Sequence, residues 1–388
     1  MTRETVLSNA TIVLEDETIR GSLRIVDGAI AEISADPTLP GTDLDGDYLL
    51  PGLVELHTDH LEHHYIPRPK RLWDPIPAVL AHDAQLAASG ATTVFDAIRI
   101  GSGPGEHTLA ESAHTLVNAI THASESDLLR ADHLIHLRCE VASLDVIETF
   151  DRVGGHNRVK LVSLMDHTPG QRQHTDVETF RTFMIGKHKM SHAEFDEHVE
   201  LMRERAKYSD QHRAEMASRA TTRGITMAAH DDATRAHVAE SSALGVRISE
   251  FPTTVEAARA AREAGQLVLM GAPNIVRGGS NSGNVAAAEL LDLGLLDILS
   301  SDYVPASPLQ AIFHLHGTET ITINQGSALV SANPAAAVGL TDRGTITPGK
   351  RADLIRVRAY EDLPADQHPL GTPVPVVRGV WREGHRVA

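Results

Sequence analysis

Between residues 53 and 302 the chain repeats one pattern eight times: a short β-like apolar run, then a stretch with helical character. The runs are LVELH (53–57), ATTVFDA (91–97), HLIHLRCE (133–140), KLVSLMDH (160–167), GITMAAH (224–230), VRISEF (246–251), QLVLMG (266–271) and LDILSSD (296–302). Strands alternating with helices imply parallel strands joined by helical crossovers. Eight of them are what a closed (β/α)8 barrel needs. Local punctuation agrees. Gly90 ends the first helix, Asp232 and Gly245 bracket another, and Thr253-x-x-Glu256 reads as a capping box for a helix that Gly265 closes.

At 388 residues the chain exceeds a bare barrel of roughly 250 residues by about 140. Part of the excess lies at the two ends, where VLSNATIVL, GSLRIVDGAIAEIS, GTITPGKRADLIRVRAY and VPVVRGVWREGHRVA are short apolar runs broken by turn residues. Asp27-Gly28 suits a two-residue hairpin turn. The expected architecture is α/β: a TIM-type (β/α)8 barrel over residues 51–341, with a small β-sandwich made by residues 1–50 plus 342–388. The rest of the excess is an insertion at 168–223. There Phe195, Val199, Met202 and Ala206 recur at helical spacing, so a long amphipathic helix is expected after an inserted loop. Long loops at a barrel mouth are often functional.

A formal net charge of −17 opposes general nucleic-acid binding, which relies on basic surface to displace counterions. It still permits an anionic small molecule, because metal ions and local basic groups reverse the sign inside one cleft. No apolar run approaches the ~20 residues of a membrane helix, and the N-terminal stretch lacks a signal-peptide apolar segment. The single cysteine, Cys139, builds no intramolecular disulfide framework. These features predict a cytoplasmic enzyme with neither nucleic-acid nor membrane partners. Its apolar helix faces would serve a homodimer as readily as a core.

Barrel enzymes carry their chemistry just past the C-terminal ends of the strands. Here the first strand ends at His57 with Asp59 two residues on, the third at Glu140, the fourth at His167, the fifth at His230 and the eighth at Asp302. A lone histidine at a strand end is more often a hydrogen-bonding partner than a ligand. Glu140 alone could pair with Arg138, and Asp302 alone could cap a helix. The argument rests on their coincidence at one rim. Six imidazole and carboxylate groups suffice for two divalent ions, Zn²⁺ or Mn²⁺, with Asp302 also placed to take and return a proton. Lys160 is excluded as a bridging ligand, since it lies six residues before the strand end, roughly 20 Å below the rim.

Three segments carry a family resemblance. PGLVELHTD (51–59) resembles the opening motif of the amidohydrolase superfamily, with Asp59 in place of its second histidine. GTITPGKRADLI (344–355) is similar to that superfamily's return into its small β-domain, and SSDYVP (300–305) begins like its eighth-strand aspartate motif. The resemblance implies a metal-dependent hydrolase, in which Glu250, at the end of the sixth strand, would replace one of the ligands named above. ELHTDHLEHHYIPRP (55–69), LMDHTPGQRQ (164–173) and NIVRGGSNSGNVAA (274–287) resemble a narrower branch of phosphonate metabolism. Its members hydrolyse the 5-triphosphate of ribose 1-methylphosphonate and release pyrophosphate. His60 and the His63-His64 pair depart from that branch's pattern.

The basic residues suit such a phosphorylated sugar. Arg68, Lys70 and Arg71 follow the first strand, Arg172 follows His167, and Arg277 precedes a glycine-serine loop at 278–283 containing Ser280 and Ser282. Backbone N–H groups in such a loop can receive a phosphate. Arg68, Arg172, Arg277, Ser280 and Ser282 are therefore the expected substrate contacts, and Lys187 and Lys189 read as solvated charges. The same ligand set would also serve C–N hydrolysis of an amide, cyclic imide or aminated ring, but a neutral ring requires no arginine cluster.

Overall fold

The structure is a computed structural model that describes the chain except residues 1–2, 69–70, 103–106, 171, 173–177, 179–180, 182–184, 186–189, 281–282, 362, 365 and 369. The chain opens with β1 (Glu4–Val13), β2 (Thr18–Val26), β3 (Ala29–Ser34), β4 (Thr42–Asp43) and β5 (Tyr48–Pro51). Asp27 and Gly28, with φ of 48° and 84°, make the tight β2–β3 turn, because two positive φ values match the strand twist. Eight parallel strands follow: β6 (Leu53–Thr58), β7 (Ala91–Ile100), β8 (Asp132–Glu140), β9 (Val159–Met165), β10 (Thr226–His230), β11 (Ile248–Glu250), β12 (Leu267–Gly271) and β13 (Ile298–Ser300). Each of the eight sequence runs is thus a strand, and they pair in chain order.

The seam between β13 and β6 closes the barrel. Thr58 bridges Asp302 in parallel, and the Asp302 N–H donates to the His57 carbonyl at 3.0 Å. The buried Glu55 carboxylate accepts from the Ser301 and His57 backbone N–H groups, each at 2.7 Å. Inside, Leu56, Phe95, Leu161, Ala228, Ile248, Leu269 and Ile298 form an apolar layer, one side chain from each of seven strands, packed against Ala335 and Ala337. The opposite faces of the strands pack on the helices. Ile135, Leu137 and Cys139, for example, join Phe150, Met216 and Ala220. Because strand side chains alternate, His136, Arg138 and Glu140 face inward, towards the C-terminal end of β8.

The last strands are β14 (Leu354–Tyr360), β15 (Val374–Arg382) and β16 (His385–Arg386). They join β1–β5 in one mixed sheet of order β16-β15-β14-β5-β1-β2-β3, with β4 beside β1. The far edge folds back: Ala29 bridges Arg351, and the Ile30 N–H donates to the Lys350 carbonyl at 2.9 Å. Leu7, Ile12, Leu23, Leu49, Leu354 and Trp381 are buried within it.

Three helix readings change. Thr254, not Thr253, caps the helix Val255–Glu263, accepting from the Ala257 N–H at 3.0 Å. Adjacent threonines leave that one-residue frame open in sequence. Thr234 caps Arg235–Ala243, which releases Asp232 into the interior. Among the described residues, the 168–223 insertion carries a second long helix beyond the expected one. His192–Ala206 opens with a capping box of Ser191 and Glu194 and buries Phe195 and Val199. Ser209–Thr222 follows and sets Met216, Ala217 and Ala220 into the main core. Lys187 and Lys189 lie outside the described residues.

One ionic cluster is buried between the barrel wall and the helix Pro75–Ala88. Asp96 of β7 binds His82 Nε2 and His133 Nδ1, each at 2.8 Å, and His133 Nε2 meets Asp83 at 3.3 Å. Burial opposes charge on His133, but Asp96 and Asp83 outweigh it and raise its pKa from 6.5 to about 10. Burial likewise opposes the Asp96 carboxylate, yet His133 and His82 hold it down to about 2. The stabilisation from His133 is therefore complete below pH 6.5 and lost as pH rises through about 10. That from Asp96 is present above 3.8 and lost as pH falls through about 2. His133→Leu strands two buried carboxylates and should cost about 3–5 kcal/mol. Urea unfolding at several pH values checks this: the gap between wild type and variant should narrow from pH 6.5 towards 10. A constant gap would mean His133 is not charged in the fold.

Candidate active site

Three residues immediately after barrel strands take left-handed backbone conformations that side chains disfavour: Asp231 (φ 60°), Phe251 (φ 54°) and Asp302 (φ 53°). Each N–H still bonds across the wall. Asp231 donates to Glu250 at 2.9 Å, Phe251 to Leu269 at 2.8 Å and Asp302 to His57 at 3.0 Å. The cross-wall bonds hold the backbone in a region that costs of order 1–3 kcal/mol per residue, and the side chains are turned into one cavity. That cavity, about 230 Å³, is lined by His57, Arg138, His230, Asp231, Phe251, Asp302 and Tyr303, with Asn274, Arg277, Ser280 and Asn284 from the stretch after β12. Phe251 packs edge-on against the rings of His57 and His230, centroids 5.0 and 5.3 Å away.

Glu250 is the hub of the site. Its fully buried carboxylate receives His57 Nδ1 at 2.6 Å on one oxygen, and His230 Nδ1 at 2.7 Å and the Ser163 hydroxyl at 2.6 Å on the other. Burial would raise its pKa, but His57 and these bonds hold it well below the usual carboxylate range. A parallel arrangement stands beside it. Glu140 accepts His167 Nδ1 at 2.6 Å and the His167 N–H at 3.1 Å, and Arg99 lies 3.5 Å away. Against burial, His167 and Arg99 keep Glu140 at about 2. Glu140 therefore pairs with Arg99, whereas Arg138 pairs with Asp59 at 3.3 Å.

These bonds decide the histidine tautomers. A Nδ1–H donated to a carboxylate leaves Nε2 with a free lone pair, the ligand form of imidazole. The Asp231 carboxylate oxygen lies 3.3 Å from His230 Nε2 and 3.8 Å from His167 Nε2, and among the described residues it has no hydrogen-bond partner although buried. The two Nε2 atoms and the Asp231 oxygen thus converge, an arrangement that a divalent cation fits. A second shortage lies alongside. His136 Nδ1 donates to the Leu56 carbonyl at 2.9 Å, and Nε2 faces the Ser163 hydroxyl at 2.5 Å. Burial lowers the His136 pKa to about 3, so the ring is neutral. The one Ser163 proton cannot serve both His136 and Glu250, a deficit that positive charge relieves. His57, His136 and Glu250 form one close group, and His167, His230 and Asp231 another.

The structure thus brings His57, Glu140, His167 and His230 together around two carboxylates. Asp302 lines the same cavity, and Asp59 adjoins it, its N–H reaching the Asp302 carbonyl at 3.4 Å. Burial, and then the neighbouring Asp59, push the Asp302 carboxyl above its ordinary range. Arg277 and Ser280 also line the cavity, with Arg277 bonded to the Tyr303 hydroxyl at 3.3 Å. Gly278 ends the preceding helix with φ 77°, and Gly279 and Ser280 after it reach the cavity lining. Two expected contacts sit elsewhere. Arg172 is buried, with its guanidinium engaged by Asp232 and Glu240, and Arg68 is exposed in the loop after β6, bridged to Arg71. Ser282 and Lys70 lie outside the described residues. Asp231, His136 and Ser163 were missed. Asp231 follows His230 directly, and His136 lies on the inward face with Glu140, so both signals were present in the sequence. Ser163 carried none.

Residues 157–388 match the sequence profile of the Amidohydrolase family. The alpha-D-ribose 1-methylphosphonate 5-triphosphate diphosphatase of Escherichia coli (strain K12) is 45% identical over 387 residues, 98% of this chain and 100% of that one. An imidazolonepropionase of Streptomyces griseus is 37% identical over 107 residues, 26% of each chain. Among solved structures, the 5-methylcytosine deaminase of Klebsiella pneumoniae superposes with a TM-score of 0.64 at 15% identity, covering 99% of this chain and 98% of that one. The dihydropyrimidinase of Brevibacillus agri gives 0.60 at 14% identity, covering 99% and 95%. The parallel barrel closed at its first and eighth strands, the polar rim above its apolar layer, and the near full-length relationship together place this chain in the amidohydrolase family.

Proposed function

We propose that the cavity hydrolyses the 5-triphosphate of ribose 1-methylphosphonate, releasing pyrophosphate and leaving the 5-phosphate. The observation that carries this reading is the mixed lining of the cavity: imidazole and carboxylate donors stand in it together with Arg138, Arg277 and Ser280. The near full-length relative named for this reaction supports the same substrate. A neutral ring undergoing C–N hydrolysis would give these arginines nothing to bind.

His167, His230 and Asp231 would hold one divalent ion, Zn²⁺ or Mn²⁺, and His57 with Asp59 a second. Bound ions would supply Lewis acidity towards water and phosphoryl oxygens. Glu250 and Glu140 stand behind the histidines and fix their tautomers and orientation. Asp302 takes the proton of the attacking water, a role favoured by a carboxyl whose pKa is raised by burial. Arg277 and Arg138 offset the charge of the triphosphate and of the departing pyrophosphate. Phe251 keeps the floor around His57 and His230 apolar.

The direct test is a phosphorus NMR time course with this triphosphate, the protein loaded with Mn²⁺ or Zn²⁺, a chelated control and an ATP comparison. Pyrophosphate should appear only with metal, and faster than from ATP. No phosphorus release would overturn the reading and direct attention to amides and cyclic imides. Asp302→Asn should abolish turnover while elemental analysis shows near-normal metal content. Glu250→Ala should instead weaken metal retention about 10- to 100-fold, because the imidazoles of β6 and β10 lose their orienting partner. Arg277→Ala should raise KM for the triphosphate about 10- to 100-fold, the loss of one charge-assisted contact, with a smaller change in kcat.

A further inference from the structure

The β6 loop carries histidines that the hydrolytic site does not use. His60 and His64 are four residues apart across the short helix Leu61–Tyr65, so their rings share one side of it. Their ε nitrogens converge on a single atom, Gln85 Oε1, at 3.0 and 3.1 Å. Gln85 belongs to the helix Pro75–Ala88, which also brings His82 alongside. The three ring centroids form a triangle of 5.3 Å (His60–His64), 6.0 Å (His64–His82) and 6.3 Å (His60–His82), with exposed His63 5.1 Å from His60.

His82 Nδ1 is buried without a hydrogen-bond partner among the described residues, whereas His60 and His64 would exchange their Nε2–H bonds to Gln85 Oε1 for Nε2 lone pairs when an ion is held. His82 is fully buried, and its other nitrogen is committed to Asp96 at 2.8 Å. A ring that donates Nε2–H to a carboxylate is left with a lone pair on Nδ1. A carboxylate set behind an imidazole in this way is the arrangement that orients metal-ligating histidines. Asp96 is itself braced by His133 at 2.8 Å. Three imidazoles on one tetrahedral ion have centroids roughly 5 Å apart, given a metal–nitrogen distance of ~2.0–2.1 Å. The His60–His64 side already matches this spacing, and the two sides to His82 are about 1 Å wider.

We propose that His60, His64 and His82 form a separate transition-metal site, of the zinc, nickel or copper class, between the helices Leu61–Tyr65 and Pro75–Ala88. All-imidazole donors favour these ions over magnesium or calcium. Gln85 marks where the ε nitrogens meet and gives way to, or joins, the ion. Occupancy pins the segment that begins at Asp59 to the first barrel helix, and so steadies one edge of the hydrolytic cavity.

The test is metal stoichiometry of the intact protein after zinc loading and desalting, read by elemental analysis, with cobalt(II) absorption as a second readout. Wild type should hold one equivalent more than His60→Asn and His64→Gln, and cobalt should lose one set of visible bands in each variant. His82→Asn should behave alike if it folds; the two less buried positions keep the test decisive if it does not. A His167→Ala/His230→Ala variant should retain the extra equivalent, which separates this site from the hydrolytic one. Equal stoichiometry in wild type, His60→Asn and His64→Gln would overturn the proposal. So would loss of all metal from the His167/His230 variant.

Discussion

The carboxylate of Glu250 is the constraint on which the rest of the site depends. It is buried to exclusion of solvent and shared by His57, His230 and Ser163, which come from three other strands. An isolated carboxylate there would be prohibitively desolvated, so it requires those donors. By accepting their hydrogen bonds it determines which nitrogen each histidine offers to the cavity. Glu140 does the same for His167. Two buried acids therefore act from behind, and the cavity receives lone pairs rather than protons.

The barrel makes this possible by separating tasks along its axis. An apolar layer from seven strands closes the lower interior, which leaves the upper turn of the pleat free for polar side chains. Left-handed residues at three strand ends then aim Asp231, Phe251 and Asp302 inward while their N–H groups extend the ladder. The strain is offset by the same cross-wall hydrogen bonds that hold the barrel together, so strand pairing and site geometry are one construction.

Charge is sorted by place rather than by amount. A chain with a net charge of −17 presents Arg138 and Arg277 to the cavity. Arg172, four residues beyond Thr168 in the inserted segment, commits its guanidinium to Asp232 and Glu240. The buried His82–Asp96–His133–Asp83 chain uses ions for yet another purpose, joining the first barrel helix to β7 and β8.

The sequence by itself determined the eight strands, the polar residues at the ends of the first, third, fourth, fifth and eighth, and the sheet made by the two termini. These follow from periodicities and turn residues local to each segment, and alternation alone put His136, Arg138 and Glu140 on one face. It did not determine who meets whom. His57 and Glu250 lie 193 residues apart, and their contact exists only because the barrel closes and brings β6 beside β13 and across from β11. For the same reason Arg172 and Arg277 looked equivalent in sequence, while only packing shows that one is consumed internally and the other reaches the cavity. Asp231 became a candidate donor through a backbone turn of φ 60°, a conformation imposed by its neighbours and not by its own preference. Local pattern thus decides the elements, and closure of the barrel decides the chemistry.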